Sequence, residues 1–175
     1  ALPQLELHFT EWSSSYTPSD PLHDSYHSAA FILDKLKRTG AAADSMSYWV
    51  FTDIFEEAGP RFTPFHGGFG LLNYQDLCKP AFFAYQFLNR LGSIELKCDD
   101  EACHVTRDAT GSVQVLLWDF TVTNPETGEN NQEFYKRVQP SRPKGTVKLE
   151  LSQVPAGNYT QQVYRVGYRA NDAYT

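Results

Sequence analysis

Glu11 closes a short apolar run, Leu5-Glu6-Leu7-His8-Phe9-Thr10-Glu11. The pattern predicts a buried strand at 4–11 that ends in a carboxylate, and an anion there is costly to desolvate unless it has work to do. A second apolar run, Ser45-Met46-Ser47-Tyr48-Trp49-Val50-Phe51-Thr52-Asp53, is followed by Glu56 and Glu57. Trp49 within it offers an apolar ring face. Two strands that deliver acids and an aromatic to one rim suit a polar, uncharged ligand such as a sugar. Each residue also has a plainer role open to it: an ion pair for Glu11, core packing for Trp49, a solvated acidic surface for Glu56 and Glu57.

Other chemistries are weaker. His23 and His27 stand at the i,i+4 spacing of a helical metal pair, but His23 falls before the expected helix and no acid completes a third ligand. The serines at 13–15 lack the Gly-x-Ser-x-Gly elbow of a hydrolase nucleophile. Gly67-Gly68-Phe69-Gly70 lacks the strand-to-helix setting of a phosphate cradle. Cys98 and Cys103 flank the turn-like Asp99-Asp100-Glu101-Ala102, which leaves a local disulfide open, though two free thiols are the simpler expectation in a chain with only three cysteines. Asn158-Tyr159-Thr160 matches the glycosylation sequon, a pattern frequent by chance.

The elements that must hold these residues alternate. A helix is expected from about Asp24 to Thr39, capped by Asp24 or Ser25, with Ala29, Ile32, Leu33 and Leu36 on its apolar face and Gly40 as its stop. The strand at 45–53 is apolar on both faces, as in a covered parallel strand. A second helix begins at Pro80, shares Ala84, Phe87, Leu88 and Leu91 on one face, and ends at Gly92. Residues 1–92 thus read as β-α-β-α. From Ser93 the period becomes two, with β-like runs at 94–98, 102–107, 113–120, 146–151 and 159–168, so 93–175 is expected to be an antiparallel β domain.

Composition narrows the partners. With 21 acidic against 15 basic side chains and no basic stripe, nucleic acid is a poor fit. No apolar stretch approaches the ~18–20 residues of a membrane span. Two β/α units cannot close a barrel, and a lone parallel pair leaves edges exposed. Either the chain is a piece of a longer protein, or another chain supplies the missing strands.

The segments Phe9-Thr10-Glu11-Trp12-Ser13-Ser14-Ser15-Tyr16-Thr17-Pro18, Ser47-Tyr48-Trp49-Val50-Phe51-Thr52-Asp53-Ile54-Phe55-Glu56-Glu57, Phe65-His66-Gly67-Gly68-Phe69-Gly70-Leu71 and Lys79-Pro80 resemble glycoside hydrolase family 39, especially its bacterial β-xylosidases. Leu117-Trp118-Asp119-Phe120 and the run from Val163 to Asp172 look like the family's β domain. The resemblance implies the last β/α units of an eightfold β/α (TIM) barrel, strands seven and eight with their helices, followed by an antiparallel β-sandwich truncated at its C-terminus. It implies a retaining exo-glycosidase without a cofactor. The sequence leaves localisation unknown, with the bacterial cytoplasm or periplasm as the expectation. By position, Glu11 would be the nucleophile, Trp49 would line the sugar site, Glu56 and Glu57 would bind sugar hydroxyls, and His66 and Phe69 would lie nearby.

A retaining glycosidase needs two carboxyl groups about 5–5.5 Å apart, one attacking the anomeric carbon and one protonating the leaving oxygen. The family's acid/base Glu, after barrel strand four, has no counterpart here, so the isolated chain is expected to be inactive. The expected ligand is xylose or a xylo-oligosaccharide, and the missing barrel segment is an expected partner. An α-L-iduronidase-like substrate is an alternative within the family, although only Arg61 offers a cation in that loop. A non-catalytic carbohydrate-binding or assembly fragment is the alternative outside enzymes.

Overall fold

The computed structural model describes residues 5–55, 59, 61–121, 128 and 145–174. Two strands come first in the sheet order: β1 (His8–Trp12) pairs in parallel with β2 (Ser45–Tyr48), with α1 (Tyr26–Thr39) between them in the chain. After α2 (Pro80–Leu88), β3 (Ile94–Glu95), β4 (Cys103–Arg107) and β5 (Val113–Leu117) form an antiparallel sheet in chain order. No helix among the described residues is long and apolar enough to cross a membrane.

The apolar face of α1 forms as the 3.6-residue period requires. Ile32 is fully buried, flanked by Ala29 and Leu33, and Leu36 packs against the same cluster. Burying a side chain of that size contributes roughly 1.5–3 kcal/mol. Gly40 ends the helix with φ +47°, its N–H donating to the Leu36 carbonyl, a backbone conformation that side chains disfavour. At the other end Ser25 holds the N-cap position, but its hydroxyl donates to the Leu22 carbonyl instead of capping. The capping acceptor comes from far along the chain: Asp172 Oδ2 accepts the Tyr26 N–H at 3.1 Å.

Pro80 sits in the first turn of α2, where its missing N–H costs nothing. The helix closes at Leu88, short of the expected Gly92. Gly92 serves another purpose: a Cβ there would lie 2.3 Å from the Arg107 carbonyl carbon, so only glycine lets the chain pass the end of β4. Ala81 and Ala84 of α2 meet Ala29, Ile32 and Leu33 of α1 in a cluster that also takes Leu116 and Trp118. The helices and the antiparallel sheet therefore share one buried core.

Several expected strands are shorter or absent. The ladder of β2 stops at Tyr48, β3 holds two residues, and β5 ends at Leu117. Segments 146–151 and 159–168 form no strand. Their alternation is real, but Val147, Leu149 and Leu151 are exposed, because no neighbouring strand among the described residues supplies a ladder. The later of the two segments is instead held by aromatic side chains. Tyr164 lies 6.5 Å from Phe87 and under the Arg90 guanidinium, and Tyr168 meets Tyr26. The strand expected to be buried at 4–11 is also exposed, with Phe9 at 41 %. It has a single neighbour, β2, among the described residues.

Candidate active site

β1 and β2 do not pair evenly. His8 faces Ser45 and Phe9 faces Met46, but Trp12 faces Tyr48, so β1 spends one residue more than β2 over this step. The irregularity falls at Thr10-Glu11. Such a bulge turns a side chain out of the regular alternation and is frequent at barrel rims and beside active sites. Glu11 is exposed here rather than enclosed in a hollow, because only β2 flanks its strand among the described residues.

Backbone hydrogen bonds then lay three segments side by side at the C-terminal end of the parallel pair. The Trp49 N–H donates to the Trp12 carbonyl at 2.9 Å, and the Val50 N–H donates to the Phe69 carbonyl at 3.1 Å. Glu11, Trp49 and Phe69 are thus brought to one end of the sheet from positions far apart in sequence. Trp49 is half-buried, with its ring 5.6 Å from that of Phe55 in an edge-on contact. Trp12 lies edge-on to Tyr48 at 5.4 Å. Burial in this wall pushes the Tyr48 phenol up to about 12. His66 Nδ1 donates to the Thr63 carbonyl at 3.2 Å. The nitrogens Trp12 Nε1 and His66 Nε2 are buried with no hydrogen-bond partner among the described residues. Glu56 and Glu57 lie outside the described residues. A groove of about 690 Å³ lined by Cys78, Phe83, Arg169, Asn171, Asp172 and Ala173 contains none of the expected site residues.

What anchors the loop after β2 is a buried ionic knot that sequence reasoning missed. Lys79 is fully buried, its Nζ 2.6 Å from Asp24 Oδ1 and 2.7 Å from Asp53 Oδ2, and it donates to the Gly68 carbonyl at 2.9 Å. Asp53 Oδ1 also accepts the Gly70 N–H at 2.7 Å, and Asp24 Oδ2 accepts the Gly67 N–H at 2.5 Å. His23, also fully buried, donates Nδ1–H to the Gly67 carbonyl at 2.8 Å, and its ring lies 4.7 Å from that of Phe69. Burial raises the Asp24 carboxyl above its usual range, and the Lys79 ammonium only partly offsets this. The knot fixes both ends of the 54–68 excursion, Asp53 at its start and Gly67–Gly70 at its return.

The glycines are part of the same device. Gly67 has φ +77°, and a Cβ there would sit 2.5 Å from the Asp20 carbonyl carbon. The sequence signals were an Asp ending an apolar run, a Lys directly before a helix-starting Pro, and closely spaced glycines between them. Only their convergence gives them meaning. His23 is thereby a loop anchor, and no cluster of three or more metal-ligating side chains stands among the described residues.

Comparison with known proteins places the chain. The model of glycosyl hydrolases family 39 matches residues 1–154. The chain is 43 % identical over 124 residues to a β-xylosidase of Geobacillus stearothermophilus, covering 71 % of this chain and 24 % of that protein. It is 44 % identical over 145 residues to a β-xylosidase of Caldicellulosiruptor saccharolyticus, covering 79 % and 30 %. Among solved structures, a monomeric β-xylosidase from Caulobacter crescentus CB15 superposes with a TM-score of 0.68 at 45 % identity, covering 80 % of this chain and 28 % of that one. The family 39 enzyme from Xanthomonas axonopodis pv. citri gives the same TM-score at 47 % identity, covering 78 % and 26 %. The chain spans less than a third of the length of these curated relatives. With matching motifs spread from Glu11 to the β5 region and a family model spanning most of its length, this chain belongs to glycosyl hydrolase family 39.

Proposed function

We propose that this chain carries the nucleophile side of a retaining β-xylosidase site, within a protein that releases xylose from the non-reducing ends of xylo-oligosaccharides. Glu11 attacks the anomeric carbon to form a glycosyl-enzyme. Trp49 stacks on the sugar, and Glu56, Glu57, His66 and Phe69 contact its hydroxyls or ring. Residues 1–92 supply strands seven and eight of a β/α barrel, and 93–175 supply part of an antiparallel β-sandwich. The acid/base carboxyl and the remaining walls of the hollow come from chain outside these residues, so the isolated polypeptide turns over no substrate.

One observation supports this reading above the others. The bulge at Thr10-Glu11 and the Trp49–Trp12 and Val50–Phe69 hydrogen bonds gather the acid and the aromatic residues at the end of the parallel pair where β/α folds keep their chemistry. The test is Glu11→Gln in the longer protein on an aryl β-xyloside. Turnover should fall roughly 10⁴-fold or more, and in Glu11→Gly, where the missing side chain leaves room for an external anion, added azide should restore release of the aryl group while giving the xylosyl azide of inverted configuration. Activity within tenfold of the parent would remove Glu11 from the nucleophile role. Strong turnover by the isolated chain would overturn the assignment of the acid/base to another segment.

A further inference from the structure

Cys98 and Cys103 have no part in the glycosidase reading, yet they flank the turn of the hairpin that joins β3 to β4. In the β3–β4 pair Ile94 faces Arg107 and Glu95 faces Thr106, and the Leu96 N–H donates to the Val105 carbonyl at 2.8 Å. The ladder ends at this bond, and the same spacing carried two residues further would set Cys98 opposite Cys103, with the turn Asp99-Asp100-Glu101-Ala102 between them. Cys98 lies close enough to Cys103 to act on its thiol. Directly opposed residues of an antiparallel pair have Cα separations of about 4.5–5.5 Å, within the range a disulfide spans.

The two sulfurs differ in access. Cys98 is exposed, whereas Cys103 is buried. Burial and the neighbouring Cys98 push the Cys103 thiol up to about 11, which leaves the exposed thiol as the first to react with a reagent in solution. Cys78, the remaining thiol, precedes α2 on another part of the chain.

We propose that Cys98 and Cys103 are an attacking and a resolving thiol, converted by a small-molecule disulfide into a cross-link that closes the β3–β4 hairpin. Cys98 thiolate attacks one sulfur of glutathione disulfide, the S–S bond breaks, and one glutathione thiolate leaves. Cys103 then gives up its proton to solvent, and its sulfur attacks the Cys98 sulfur and expels the second glutathione thiolate. Both cysteines are oxidised, and one glutathione disulfide is reduced to two thiols. The cross-link lies beside the contacts that join the sheet to α1, where Lys37 Nζ stands 3.6 Å from Glu95 and 3.4 Å from His104 Nδ1.

The test is oxidation of the folded chain with glutathione disulfide, an acid quench, and thiol counting with peptide mapping under denaturing conditions. The count should fall from three thiols to one, with Cys98 joined to Cys103 and no glutathione retained. Cys103→Ser should trap glutathione on Cys98, and Cys98→Ser should leave Cys103 unmodified over the same time. A persistent glutathione adduct on wild-type Cys98, a bond to Cys78, or three unreacted thiols would overturn the proposal. So would equally fast cross-linking of the urea-unfolded chain, since the register would then contribute nothing.

Discussion

Replacing Lys79 by Met tests the ionic knot most directly. The ammonium lies 2.6 Å from Asp24 and 2.7 Å from Asp53, and it donates to the Gly68 carbonyl at 2.9 Å, with all three side chains fully buried. Met fills much the same volume, so the change removes charge rather than packing. It leaves two carboxylates close together, each with one backbone N–H to meet it, from Gly67 and Gly70. Breaking a buried pair by removing one partner costs about 3–5 kcal/mol. Because two acids share this cation, the upper part of that range is expected. Against a typical domain stability of roughly 5–15 kcal/mol the loss is large. Urea unfolding followed by fluorescence of the three tryptophans measures it. Adding Asp24→Asn and Asp53→Asn to Lys79→Met should recover much of the loss, since none of the three positions then carries a charge. The sign with pH is also fixed. Burial already raises the Asp24 carboxyl, and without the opposing cation it favours the protonated form when folded still more, so the single variant regains stability as pH falls toward about 4 and loses it as pH rises. A loss below about 1 kcal/mol, the worth of an exposed pair, would refute the argument.

Other expectations are simpler to state. Gly67→Ala combines a positive φ with a Cβ 2.5 Å from backbone atoms of Asp20, and should cost about 2–4 kcal/mol in the same unfolding assay. Asp172→Ala removes the acceptor for the first N–H of α1 and should cost about 1 kcal/mol, with faster amide exchange at Tyr26. Burial lowers the His27 pKa from its ordinary 6.5, with nearby Asp20 opposing the shift weakly. The unfolded chain therefore takes up the proton first, so this contribution to stability is intact above 6.5 and is lost as pH falls through the folded value. Unfolding midpoints should drop between neutral pH and about pH 5, and His27→Gln should flatten that slope.

Wherever the controlling interactions are short-range, the sequence was enough. The spacing of Ala29, Ile32, Leu33 and Leu36 with Gly40 behind them specifies α1, Pro80 specifies the start of α2, and Asp108-Ala109-Thr110-Gly111 specifies the turn between β4 and β5. In that turn the Asp108 side chain accepts from the Thr110 N–H and hydroxyl and from the Ser112 N–H. The parallel partnership of β1 and β2 was legible too, from two apolar runs separated by one helix. The strands expected at 146–151 and 159–168 show the limit, because alternation marks a face but cannot provide the neighbour that makes a ladder.

The arrangement around Glu11 was decided at a longer range. Asp24, Asp53 and Lys79 are unremarkable one at a time, and the N-cap of α1 is completed from Asp172 at the far end of the chain. The bulge that sets Glu11 apart exists only because β1 and β2 pair out of step. Local pattern records which residues prefer water and which backbone angles they tolerate. Desolvated charges and ladder registers depend on how distant segments return to one another, and that is settled only when the chain has packed.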